Sequence, residues 1–123
     1  MNESLKHTDT AGIIAFATSN FDAMRRFFHD LGMEIGESCG DPLMPLFTQG
    51  RGVYVRRGDI AFNLEESTNG AASARFNMLL FGYTADDAER LRSLGYELRT
   101  EESLHGTHYT LITPDGGTVT LSS

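Results

Sequence analysis

The chain has 123 residues, 40% of them hydrophobic, one cysteine and a formal net charge of −7. That is one domain's length, enough to bury a core without covalent staples. A lone cysteine excludes an internal disulfide, the acidic balance argues against nucleic acid, and no apolar run approaches the roughly 20 residues that span a bilayer. A reducing, cytoplasmic compartment is the expectation.

Residues 1–10 are polar and read as a flexible N-terminal tail. "AGIIAFAT" (11–18) predicts a mostly buried strand. Asn20 stands at a helix N-cap with Asp22 in the first turn, and Phe21, Met24, Phe27, Phe28 and Leu31 recur at helical spacing up to a Gly32 stop. A strand follows from Met33 to about Ser38. The Pro- and Gly-broken stretch after it has room for a short strand at Leu46–Thr48. "VYVRR" and "IAFNLEE" are two more strands around a turn at Arg57–Asp59, and "STNGAASA" is a linker.

The second half then follows the same order. "RFNMLLFGY" predicts a strand, Thr84 with Asp87 a capping box, and Ala85, Ala88, Leu91 and Leu94 a buried helical stripe before Gly95. "YELRT", "HGTHYTLIT" and "TVTLS" complete the strands, the last after a turn at Pro114–Gly117. "LGMEI" (31–35) matches "LGYEL" (94–98) at an offset of 63, which lays Ile13 on Phe76. Ending "IAFNL" and "TVTLS" on their leucines lays Asn63 on Thr120.

These halves are two βαβββ modules, 11–66 and 75–123, joined by a linker at 67–74 within one α+β domain. Each helix covers one sheet face. The other faces curve around a cup, with the helices outside. Period-2 alternation assigns Ala61, Asn63 and Glu65 to the cup in the fourth strand and Thr118 and Thr120 in the last. It assigns Ile13, Ala15 and Ala17 on the first strand, and Phe76, Met78 and Leu80 on the fifth. A one-residue slip would put Asn77 in place of Phe76.

"FDAMRRFFHDLGMEIG", "LRSLGYEL" and "TPDGGTVTL" resemble the helix-end and final-turn motifs of the vicinal oxygen chelate superfamily of glyoxalases, extradiol dioxygenases and bleomycin-resistance proteins. "RGVYVRRGDIAFNLEE" is similar to strands in the N-terminal domain of 4-hydroxyphenylpyruvate dioxygenases. The resemblance implies the paired-module fold, a homodimer and, in metal-bearing members, His, Gln or Glu on the first and last strands of each module. Here those positions carry Ile13, Asn63, Phe76 (or Asn77) and Thr120, a set poor in metal donors.

His105 and His108 form a weak His-x-x-His, Glu65 is a solitary carboxylate, and Cys39 has no base fixed beside it. The expectation is therefore a metal-free small-molecule-binding protein, without cofactor, that sequesters a cationic or aromatic compound such as an antibiotic. Its ligand would meet Ile13, Phe47, Tyr54, Arg56, Asn63, Phe76, Met78, His108 and Thr120. The alternatives are a glyoxalase-like lyase, isomerase or dioxygenase with an atypical metal site, and a dimeric interaction module whose cup is vestigial.

Overall fold

A computed structural model of the chain describes residues 14–37, 51–67 and 76–123. The N-terminal tail, Ile13, Cys39, the Leu46–Thr48 strand with Phe47, and all of the linker but Ser67 lie outside the described residues. The elements run β1 (Ala15–Thr18), α1 (Phe21–Asp30), β2 (Glu34–Glu37), β3 (Gly52–Arg57), β4 (Ile60–Glu66), β5 (Asn77–Phe81), α2 (Ala85–Ser93), β6 (Arg99–Ser103), β7 (Gly106–Ile112) and β8 (Thr118–Ser122). The strands form two four-stranded sheets ordered β1-β4-β3-β2 and β5-β8-β7-β6. In each, one parallel pair is extended by two antiparallel strands, so the two βαβββ modules share one topology.

The first helix forms where the apolar spacing demands it. Phe21, Met24, Phe27 and Phe28 are buried, and Asp22 sits in the first turn. Asn20 contributes no side-chain cap; its backbone N–H donates to Thr18 Oγ1 at 2.9 Å instead. At the second helix, Asp87 N–H donates to Thr84 Oγ1 (3.2 Å) and Thr84 N–H to Asp87 Oδ2 (2.9 Å), completing the expected box. The expected buried stripe is narrower than its spacing suggested. Ala88 and Leu91 are buried, but Ala85 is exposed and Leu94, at the C-cap, is 52% exposed.

The two modules share one apolar core. Phe28 of α1 packs edge-on to Phe62 of β4, with centroids 5.0 Å apart. Phe76, just ahead of β5, stacks on Phe16 of β1 at 4.7 Å and lies 6.3 Å from Phe28. A polar joint binds the same region. The Leu31 carbonyl, at the end of α1, accepts from Tyr83 OH (2.7 Å) and Arg57 Nη1 (3.0 Å). Arg57 Nη2 donates to the Gly82 carbonyl (3.1 Å), and its guanidinium lies 3.8 Å from the Tyr83 ring centre.

These contacts correct the fifth strand. Phe76, Met78 and Leu80 pack into the core on the helix side, while Asn77, Leu79 and Phe81 take the open face. The cause is helix length. The N-caps Asn20 and Thr84 are 64 positions apart, but the C-caps Leu31 and Leu94 are 63 apart, because α2 has 9 residues where α1 has 10. The ladders agree: Ala15 pairs Asn63 as Leu79 pairs Thr120, again 64 apart on the first strand of each module. An offset taken after the helix is one residue out before it, and in a strand one residue exchanges the faces.

The sixth strand begins at Arg99 and not at Tyr96. In the first module Glu34 and Ile35 pair with Arg56 and Val55, whereas the corresponding Glu97 and Leu98 have no ladder partners among the described residues. At Gly117 the chain lies close against the Phe76 backbone. A Cβ there would lie 2.5 Å from the Phe76 carbonyl oxygen. Gly117→Ala is expected to lower unfolding free energy by about 1–3 kcal/mol in a denaturant titration, since backbone must move to admit the methyl.

Candidate functional site

Period-2 alternation along the observed ladders defines the open faces. On the first sheet one rung runs Gly36, Tyr54, Asn63, Ala15, and the next runs Gly52, Glu65, Ala17. On the second sheet one rung runs Arg99, Thr110, Thr120, Leu79, flanked by Ile112, Thr118, Asn77 and by Glu101, His108, Ser122, Phe81. Of the sequence-predicted residues, Tyr54, Arg56 and Asn63 therefore share the first open face, and His108 and Thr120 the second. Phe76 and Met78 belong to the core, and Ile13 and Phe47 lie outside the described residues.

The two faces differ in character. The first is polar and built on small residues. Asn63 is 2% and Glu65 8% exposed, and Tyr54 stands up at 37%. Arg56 is tied to Glu34 at 2.8 Å in an exposed pair of little energetic weight. The second is apolar at its rim, with Leu79 51%, Phe81 65% and Ile112 64% exposed. The unpaired start of the sixth strand opens a cleft of about 660 Å³ beside this face, lined by residues that include Tyr96, Leu98, Arg99, Thr110, Ile112 and Thr118. That volume lies in the range that holds drug-sized ligands.

The polar groups of the second face are largely bonded to one another. The Thr110 and Thr120 hydroxyls lie 3.2 Å apart, and Thr118 Oγ1 donates to Asn77 Oδ1. His108 Nε2 is 2.9 Å from Ser103 Oγ, while its Nδ1 is buried with no partner among the described residues. On the first face Glu65 Oε1 is likewise buried without a partner among the described residues, and burial pushes its carboxyl above the usual carboxylate range. Neighbouring Glu66 goes the other way: Arg51, 2.7 Å distant, holds it below that range. Among the described residues no three His, Cys, Asp or Glu side chains converge as metal ligands do.

Asn77, Leu79, Phe81, Thr110 and Arg99 also lie on the second open face, where the motif offset does not place them. Alternation counted back from the Thr84 cap, rather than from the shared Leu-Gly pair, places the first three correctly.

No family model matches the sequence, and no curated protein matches it. Solved structures do. A Bacillus anthracis protein assigned to the glyoxalase family superposes with a TM-score of 0.69 at 15% identity, covering 95% of this chain and 98% of that one. TnmS3, an antibiotic-binding protein from Streptomyces sp. CB03234, gives 0.63 at 20% identity, covering 94% and 97%. A bleomycin-binding protein crystallised with bleomycin gives 0.59 at 18% identity, covering 91% and 96%. The chain has the paired-βαβββ fold of the vicinal oxygen chelate superfamily.

Glu65 gives a pH-dependent prediction. Its folded carboxyl is raised, so the stability it contributes is present in acid and lost as pH rises through the raised value. Glu66, held low, contributes stability at higher pH that is lost in acid. Glu65→Gln is thus expected to raise the melting temperature more at about pH 7 than at about pH 4. Glu66→Gln should lower it, with the larger loss near neutrality. Melting curves at the two pH values read both.

Proposed function

We propose that the open faces bind an organic small molecule, cationic or aromatic in the manner of an antibiotic, without a divalent metal. The observation that carries this reading is the donor set. At the positions where the resemblance puts metal ligands, the described residues are Asn63, Asn77 and Thr120, two amides and a hydroxyl with no charge among them. The Asn77 oxygen already accepts from Thr118, and Thr120 has Thr110 as its neighbour. A divalent ion needs several strong oxygen or nitrogen donors pointing at one centre, and this set does not fit one.

What remains suits retention rather than bond-making: apolar rims, a cleft of drug-like size and a few hydroxyl and amide groups to orient a ligand. Solved neighbours of the fold named for binding an antibiotic and for binding bleomycin support it. Leu79, Phe81 and Ile112 stand exposed on one sheet, and a second copy covering them would give the homodimer that belongs to this reading. We place the protein in the cytoplasm on its single cysteine. Among the described residues no helix is long and apolar enough to cross a membrane.

Purified protein incubated with zinc, manganese and nickel and then dialysed should retain only sub-stoichiometric metal, while bleomycin or an aromatic amine raises its melting temperature. Thr120→Val should weaken that binding about three- to tenfold, the worth of one hydrogen bond. Stoichiometric metal surviving dialysis, with no thermal shift by any organic ligand, would overturn the proposal.

A further inference from the structure

We infer that the first sheet carries a subsite for an organic cation, whose ammonium or guanidinium group seats on the Glu65 carboxylate with the Tyr54 ring as a second wall. This rests on the proposed ligand-binding role of the open faces and names the chemistry one of them selects.

The first observation is an unbalanced group. Glu65 is 8% exposed, and among the described residues its Oε1 has no hydrogen-bond donor. A buried carboxylate oxygen left so is costly, and native structures rarely tolerate one without a use. The neighbouring carboxylates are different. Asp22 and Glu66 share Arg51, at 2.9 and 2.7 Å, and Glu34 has Arg56 at 2.8 Å. The third arginine of the sheet, Arg57, is spent on the Leu31 and Gly82 carbonyls. The three arginines of β3 and its lead-in are thus all engaged elsewhere, and among the described residues none supplies a counter-charge for Glu65.

The second observation is the small size of that group's neighbours on the sheet. The cross-strand neighbours of Glu65 on the open face are Gly52 and Ala17, which carry no donor and take little room. Tyr54 stands diagonally across β3 from Glu65, with Asn63 as its direct neighbour, which places an aromatic face and a carboxylate roughly 7–8 Å apart at Cα. Opposite Tyr54 is Gly36, over which a Cβ would meet no atom within 4 Å. A hollow of about 410 Å³, lined by Glu34, Ile35, Gly36, Tyr54 and Arg56, lies on that far side of Tyr54, and Glu65 is not part of its lining.

A carboxylate with an aromatic wall is the pairing that recognises organic cations, by charge on one side and by the ring quadrupole on the other. One carboxylate and one amide are too few to retain a bare divalent ion, whereas an ammonium group needs no more. The net charge of −7 draws such ligands toward the surface.

The test uses the full chain and two probes of nearly equal shape, phenethylammonium and phenethyl alcohol, titrated calorimetrically near neutral pH. The wild type should bind the ammonium at least about tenfold more tightly than the alcohol. Glu65→Gln should erase that preference by weakening the ammonium alone, with affinity for the alcohol unchanged. Tyr54→Leu should weaken the ammonium several-fold. Melting curves check that each variant is folded. A preference that survives Glu65→Gln, or a Glu65→Gln that loses both probes equally, overturns the inference while the binding role stands. Magnesium or zinc alone binding stoichiometrically and displacing the ammonium also overturns it, in favour of an inorganic cation. Neither probe binding overturns it together with the proposed function.

Discussion

The carbonyl oxygen of Leu31 is the small point on which the arrangement of the two modules turns. It ends the first helix, where a carbonyl has no partner within its own helix. Here it receives Tyr83 from the second module and Arg57 from the hairpin of the first. Because Arg57 also reaches the Gly82 carbonyl and lies over the Tyr83 ring, three segments distant in sequence meet in one geometry. Tyr83 is 1% exposed, so these bonds form away from water, where an unmade partner is costly. Phe76 stacked on Phe16 is the apolar half of the same joint. Together they fix which sides of the two sheets turn inward, and hence which are left open.

The open sides are not copies of each other, although the modules are. The first presents small residues, a buried amide and a buried carboxylate. The second presents leucine, phenylalanine and isoleucine around hydroxyl groups that already bond to one another. A ligand with a charged end and an apolar body would find one kind of contact on each. The difference arises from a few local events, above all the two missing rungs at Glu97 and Leu98, which leave a cleft in one module where the other has paired strand.

Much of the fold is legible in the sequence because its signals are local. The phenylalanines of α1, the Thr84–Asp87 box and the alternation in "TVTLS" each specify an element without help from distant residues. The duplicated Leu-Gly pair reveals the repeat. It fails as a ruler across the helix, since α2 is one residue shorter, and so Phe76 and Met78 exchange places with Asn77 and Leu79. Burial is the less legible part. Nothing in "FNLEE" distinguishes Glu65, enclosed and unpaired, from Glu66, bound to Arg51; strand pairing and the position of Arg51 decide that. The weak stripe of α2 is a further case, because Leu94 lies at the cap, where the spacing no longer controls what is covered.

Gly117 bears on how such a protein changes over generations. It lies against the Phe76 backbone, at the mouth of the strand that carries Thr118 and Thr120. Both threonines show part of their surface and point away from the core, so either can be exchanged at little cost to folding. The glycine one step earlier has no such freedom. Substitutions on the open face of the last strand can therefore accumulate residue by residue while the turn beneath it stays fixed. A library built on that face gains by leaving that one codon alone.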